Sequence, residues 1–596
     1  MTHFTQTTLI SAAISTTLLL GACNHKAVTG SSPSTMKSEN TTDDILAVEV
    51  NTQRLEEIES VQSASASADN SHSPAAIRAN KRSRILSDQA LLLHPAQLPR
   101  EELTQHQLPN TEQYAELKNN QTKITATEPV STFSIDVDTG AYSNVRRFLQ
   151  NGQLPPSNAV RVEELLNYFS YDYPQSATLE QPFSVLTELG ATPWNEKTHL
   201  LHIGLQGFIP DNLDAQSANL VFLIDVSGSM NQPNKLGLLK SSISLLVNEL
   251  DESDTVSIVV YAGSSGTVLE PTPGNEHAKV DRALSRLQAG GSTNGAAGIQ
   301  LAYQLATDNF IEKGVNRVIL ATDGDFNVGL SDTESLKSLI KKKRASGIAL
   351  TTLGFGTGNY NDHLMEQLAD SGNGAYAYID TLGEARKVLV DELTSTLVTI
   401  AKDVKIQMEF NPAVVSEYRL IGYTNRQLHN EDFNNDKVDA GDIGAGHTVT
   451  ALYEIALTGS GGERHTPRRY GQTEIQSDAD NKNTEIGELR LRYKTPESAT
   501  SRLISQIIYT EDEELVSKQS SENFQFSASV AAFGQLLRNN ERLNAFDYKD
   551  ARALAEASTG KDTFGYRSEF LRLLDMADSI DRIERASNEH RVMDEG

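Results

Sequence analysis

The stretch Leu220-Val-Phe-Leu-Ile-Asp-Val-Ser-Gly-Ser-Met230 decides how this chain is read. Five apolar residues in a row suit a strand buried on both faces, the habit of a parallel sheet. The run stops at Asp225, and a short polar turn carries Ser227 and Ser229. In Lys235–Leu250, Leu236, Leu239, Ile243, Leu246, Val247 and Leu250 then recur at helical spacing. Strand, polar turn and helix together place Asp225, Ser227 and Ser229 at the carboxyl end of a strand. That is the edge where open α/β sheets hold their ligands.

The same alternation runs from Asn219 to about Leu397. Val256–Tyr261, Val315–Ala321, Ile348–Leu353 and Ala375–Ile379 read as further strands, with amphipathic helices between them. The fold expected is α/β, a doubly wound and mostly parallel sheet covered on both faces. Two more oxygen donors fall on the same edge. Gly290-Gly-Ser-Thr-Asn294 is a turn with Thr293 near its tip, and the strand Val315–Ala321 runs into Thr322-Asp323-Gly324. Two carboxylates and three hydroxyls, with no imidazole or thiolate, suit a hard cation: Mg²⁺, or Mn²⁺ or Ca²⁺. Neutral hydroxyls leave the ion Lewis acidity for an outside carboxylate.

These five residues resemble the metal-ion-dependent adhesion site of von Willebrand factor type A domains. The resemblance implies that Asp225, Ser227 and Ser229 are first-loop ligands, Thr293 the second-loop ligand and Asp323 the third. It also implies that the hydroxyl residues hold the ion directly or through water. The aspartates often act through water, and a partner's Asp or Glu completes the shell. Phe133–Pro174, Asp323-Gly-Asp-Phe-Asn-Val-Gly329, Gly354-Phe-Gly-Thr-Gly-Asn-Tyr360 and Ala401–Ile455 are similar to the YfbK-like family of bacterial type A lipoproteins. With the C-terminal helices this covers nearly everything after residue 130, and what it implies is architecture.

Outside the α/β segment the pattern changes to strict alternation. Phe133–Val137, Phe183–Leu189 and His199–Gln206 precede it; Val404–Phe410, Glu417–Tyr423, His447–Ile455 and Ile486–Tyr493 follow it. In His199–Gln206, Leu201, Ile203 and Leu205 point one way, which suits an antiparallel sheet with one wet face. Helices are expected over Phe526–Leu537, Ala551–Ala557 and Arg567–Ile580. Either two β modules flank the α/β domain, or the domain is inserted into one antiparallel β-sandwich, which is the favoured arrangement. Insertion requires the strand of Ile203 and the strand of Met408 to share a core. The expected segments are a signal peptide (1–22), a flexible tether (23–125), an N-terminal associated region (126–215), the type A domain (216–400), and a β-sandwich with helices (401–596).

Composition narrows the function. The 596 residues carry 52 basic and 79 acidic side chains, a formal charge of −27. Such a chain repels phosphate backbones, so nucleic acid is not an expected partner. The one cysteine, Cys23, excludes intramolecular disulfides and multi-cysteine metal sites. It follows an apolar run from Leu9 to Ala22, and Leu20-Gly-Ala-Cys23 resembles the bacterial lipobox. Acylation of Cys23 would then anchor the chain to the cell envelope, and Asn24 favours the outer membrane if the host is Gram-negative. The Ser- and Thr-rich stretch after it cannot offset its ordering entropy by burial and reads as a tether.

Other signals carry less. Gly354-Phe-Gly-Thr-Gly358 lacks the last glycine of a dinucleotide loop. Asp432, Asn434 and Asp436 start like a calcium loop, but Lys437 replaces its glycine and Ile443 its closing glutamate. Asp136 and Asp138 read as a strand-ending turn or a helix cap. No hydrolase motif occurs, so no enzymatic activity is expected. The expected function is a membrane-tethered, Mg²⁺-dependent protein-binding module of the cell envelope. The rival is an envelope scaffold whose metal is structural.

Overall fold

The computed structural model describes residues 111–594, apart from 177, 179, 211–215, 325, 327–332, 393–394, 396, 467–483, 511–519 and 540. Cys23, the signal segment and most of the expected tether lie outside these residues. Four strands precede the α/β domain: β1 (Lys123–Ile124), β2 (Val130–Ser134), β3 (Phe183–Thr192) and β4 (Asn195–Gly207). The domain contributes β5 (Ala218–Asp225), β6 (Thr255–Tyr261), β7 (Ser265–Pro273), β8 (Val315–Thr322), β9 (Ala349–Phe355) and β10 (Tyr376–Ile379). After it come β11 (Thr399–Phe410), β12 (Val415–Ile421), β13 (Gly441–Gly444), β14 (Thr448–Leu457), β15 (Glu485–Lys494) and β16 (Arg502–Tyr509).

The central sheet has the order β10-β9-β8-β5-β6-β7, parallel throughout except for β7 at one edge. Every residue of β5 is buried, because helices cover both faces. Leu220, Phe222 and Ile224 pack with Leu239 and Ile243 of the helix Leu238–Val247. Val221 and Leu223 turn the other way, onto Ile299 and Ala302 of the helix Gly295–Asp308. A one-residue step changes faces, which is why the run reads as continuously apolar.

The remaining strands form a sandwich built from both sides of the insert. One sheet runs β1-β12-β14-β4-β3, with Ile203 of β4 opposite Ala451 of β14. In the other, β11 pairs with β15 on one side and with β2 and β13 on the other. Ile203 and Met408 lie in one core with Ile406, Leu489 and Tyr453. The α/β domain is therefore inserted into a single sandwich, and two independent modules are ruled out.

Two expectations need correction. The second face of β4 is not wet: Leu200 and His202 are fully buried beneath the helix Val162–Asn167 and the C-terminal helix Glu522–Leu537. The polar residues that suggested water are paired internally, as where the Tyr173 hydroxyl lies 2.9 Å from His202 Nε2. The tether also ends earlier than residue 125. The Thr111 and Gln113 N–H groups donate to Gly358 and Tyr360 carbonyls at 2.8 and 2.9 Å, and β1 pairs with β12. Backbone hydrogen bonding orders this polar segment, and hydrophobic patterning does not report that. Among the described residues no helix is long and apolar enough to cross a membrane.

Candidate metal centre

Three loops at the carboxyl ends of β5, β8 and the turn before the helix Gly295–Asp308 carry the expected ligands. Asp225 ends β5 and is fully buried. Its Oδ1 accepts the Ser227 N–H at 2.8 Å, which curls the first loop back over the strand. Its Oδ2 accepts the Tyr261 hydroxyl at 3.1 Å and the Thr322 hydroxyl at 2.9 Å. Burial pushes the Asp225 carboxyl up to about 6; the Asp323 charge adds to this, and the Ser227 and Thr322 hydrogen bonds oppose it. Ser227 and Ser229 hydroxyls lie 3.0 Å apart above it.

Backbone pairing brings in the second loop. Gly228 N–H donates to the Gly291 carbonyl at 3.0 Å, and Gly290 N–H to the Val226 carbonyl at 2.8 Å. Gly291 has φ +86°, and a Cβ there would come 3.3 Å from Gly263 N, so a glycine suits the turn that delivers half-buried Thr293. Phe326 packs edge-on to Tyr261 and fills the space over Gly295, where a Cβ would approach its ring to 2.5 Å.

Asp323 is fully buried after β8, and its Oδ2 accepts from Lys235 Nζ at 2.9 Å. Lys235 is itself buried, and its ammonium also reaches Asn359 Oδ1 at 3.1 Å. Its stem crosses Gly356, where a Cβ would stand 2.3 Å from Lys235 Cε. This gives the Gly354–Gly358 turn its purpose: it leaves room for a lysine stem. Lys235, Tyr261 and Thr322 were missed from sequence. A lysine opening an amphipathic helix reads as solvated, and only the fold brings it to Asp323.

The arrangement buries the two carboxylates and Ser227, leaves Ser229 and Thr293 half-buried, and carries one ammonium as internal counter-charge. Comparison with known proteins identifies the domain that carries it. A model of the von Willebrand factor type A domain matches residues 219–392, and one described as von Willebrand factor matches residues 108–202. A third, described as uncharacterized protein YfbK, C-terminal, matches residues 395–580. The chain is 46% identical over 483 residues to uncharacterized protein YfbK of Escherichia coli (strain K12), covering 80% of this chain and 83% of that one. The chain belongs to the YfbK family. Part of this YfbK-family chain is also 25% identical over 272 residues to human inter-alpha-trypsin inhibitor heavy chain H3, 42% of this chain and 30% of that one. A solved von Willebrand factor type A protein from Catenulispora acidiphila is 16% identical, spans 67% of this chain and 91% of its own, and has a TM-score of 0.37.

Type A domains commonly mediate metal-dependent protein interactions, often through a divalent ion. The residues of this YfbK-family site fit such an ion. All donors are oxygens, and of the two buried carboxylates only Asp323 is matched by the Lys235 ammonium, while Asp225 is held by neutral donors. Ser227, Ser229 and Thr293 would hold it, with Asp225 and Asp323 beneath; when bound, it supplies Lewis acidity toward an oxygen ligand.

A second acidic group has a different use. Asp136, Asp138 and Glu164 bring carboxylate oxygens within 4.8 Å of one another. Arg426 binds Asp136 at 3.1 Å and Asp138 at 2.9 Å, and reaches Glu366 and Asp370 of the inserted domain. Arg161 pairs with Glu164 and with Asp362 of the insert. Arginines already fill the positions an ion would need, so this is a clamp between insert and sandwich. Asp138 also accepts the Tyr376 N–H at 2.7 Å, a role beyond the turn or cap read from sequence. The calcium-like run is likewise structural: Asp436 pairs with Arg492 at 3.3 Å and accepts from Ser501.

Proposed function

We propose that the chain is a metal-ion-dependent protein-binding module of the bacterial cell envelope. Acyl chains on Cys23 tether it, with the outer membrane favoured, and a divalent ion, Mg²⁺ or else Mn²⁺ or Ca²⁺, docks an Asp or Glu carboxylate of a protein partner. It is a binding protein and not an enzyme. The observation that carries this reading is the layering of the site. Carboxylates are buried below, Ser229 and Thr293 are only half-buried above, and Gly228 between them is exposed. An ion held there keeps an outward face for a ligand, and its charge exceeds what the site supplies once Lys235 has matched one carboxylate.

A pull-down from envelope extract, run in Mg²⁺ and in EDTA, tests it. Partners are expected to elute with EDTA and to be lost with Asp225→Ala. Partners that survive both treatments equally would make the metal structural and the protein a scaffold. Metabolic labelling with a fatty acid tests the anchor: Cys23→Ser is expected to abolish incorporation.

A further inference from the structure

A cavity of about 280 Å³ lies between the inserted domain and the sandwich, far from the carboxyl edge. Arg317, the third residue of β8, lines it. Six residues of extended chain separate Arg317 from Asp323, a distance of about 20 Å. The cavity is thus independent of the metal centre and of the function proposed for it.

Most charges on its wall are matched. Asp136, Asp138 and Asp370 share Arg426, Asp439 pairs with Arg344, and Glu392 pairs with Lys387. Two are not. Arg317 is 3% exposed, and its Nη1 donates to the Thr351 hydroxyl at 2.6 Å and its Nη2 to the Leu397 carbonyl at 3.5 Å. Among the described residues its Nε has no partner and no carboxylate stands within ion-pair distance of the group. Burial pulls the guanidinium down to about 10, partly offset by the charge of Asp442. Half-buried Asp442 accepts the Asp403 N–H at 3.1 Å and Asn373 Nδ2 at 2.9 Å; the charge of Lys402 acts on it, but among the described residues no cation forms an ion pair with it. Burial raises its carboxyl to about 7.

A buried charge without a counter-charge is costly, and a cavity beside it is where the counter-charge enters. An anion alone would satisfy Arg317 and leave Asp442 unmatched; a cation alone would do the reverse. A molecule bearing both satisfies both walls. The volume falls below the roughly 300 Å³ at which pockets for drug-sized ligands begin, so the occupant is small. His447 Nε2, buried and without a partner on the same wall, adds one neutral hydrogen-bonding group. We propose that this cavity binds a small zwitterion of amino-acid size, its carboxylate on Arg317 and its ammonium on Asp442.

Calorimetric titration of the full chain with glycine, β-alanine and γ-aminobutyrate tests this, with acetate and methylammonium as single-ended probes. At least one zwitterion is expected to bind, its length reporting the span between the two charges, and to bind more tightly than either single-ended probe. Arg317→Met and Asp442→Asn are each expected to weaken it at least about tenfold. Asp442→Asn is isosteric and keeps one acceptor, enough for the Asp403 N–H while the Asn373 Nδ2 contact is lost, so it remains readable if Arg317→Met does not fold. Ser227→Ala is expected to leave the titration unchanged, which separates this site from the metal centre. Binding of no zwitterion, equal binding of acetate or methylammonium, or full affinity in Asp442→Asn overturns the proposal.

Discussion

Lys235 sets the charge of the metal centre. Its ammonium, buried and 2.9 Å from Asp323, cannot reach water to solvate itself, so it stays with the carboxylate. A divalent ion entering beside it meets one carboxylate's worth of net negative charge where the sequence suggests two. Like charges a few ångströms apart repel strongly at a part-buried site, even at an effective dielectric of about 20. Replacing Lys235 by Met, which keeps the stem over Gly356, is expected to raise affinity for Mn²⁺ by tenfold or more. Titration followed by the ion's own magnetic resonance signal measures this. Unchanged or weaker affinity would show that Lys235 does not oppose the ion. The placement of Asp225, Ser227, Ser229 and Asp323 in loops after β5 and β8, and of Thr293 in the turn before the helix Gly295–Asp308, was legible because apolar strands and a glycine turn mark those loops. Lys235, Tyr261 and Thr322 were not, because nothing local distinguishes a lysine or tyrosine that reaches across to a neighbouring loop.

At the scale of elements, burial on both faces made the parallel strands legible, while their edge partners escaped notice. β7 carries Leu269 as its one fully apolar buried residue, and β16 leaves Leu503 and Ile507 exposed. Edge strands pair through the backbone and need little apolar pattern, so periodicity passes over them. The C-terminal helices show the opposite case. Glu522–Leu537 is buried almost all round, from Phe524 to Leu537, and roofs the second face of the sheet containing β4. Phe526 is its hub, with ring centroids 4.9 Å from Phe169 and 5.6 Å from Phe570. Phe526→Ala is expected to cost about 3–5 kcal/mol in denaturant unfolding, the range for a large aromatic removed from a core. A cost below about 1 kcal/mol would mean that the helical roof is an appendage and not part of the same folding unit.

Across the whole molecule, insert and sandwich are joined by six carboxylates around two guanidinium groups: Asp136, Asp138, Glu164, Asp362, Glu366 and Asp370 with Arg161 and Arg426. Asp370 is exposed, but two arginines still cannot neutralise the five buried acids, so some retain their protons. Burial raises Glu164 to about 8 and Glu366 to about 7 against the pull of the arginines, and holds Asp138 well above its ordinary value. A carboxyl whose pKa is raised on folding stabilises the fold below its unfolded pKa, and that stability is lost as pH climbs through the folded value. Buried His202 and His447 act in the opposite sense, because burial lowers them to about 3 and about 4. Their opposing contribution is set by the unfolded rings, which are half protonated at about 6.5, and it fades by about pH 7.5. Between about pH 6.5 and pH 8 the histidine contribution fades and the acids dominate, so stability is expected to fall as pH rises. The loss from Glu164 is on the order of 1–2 kcal/mol across that window. Glu164→Gln, a fixed copy of the protonated form that still accepts the Ala141 N–H, is expected to flatten the slope. Melting temperatures of both proteins at the two ends of the window decide it. Equal slopes, or stability rising with pH in the native protein, would show that Glu164 is ionised in the clamp and that the two domains are held by ion pairs alone.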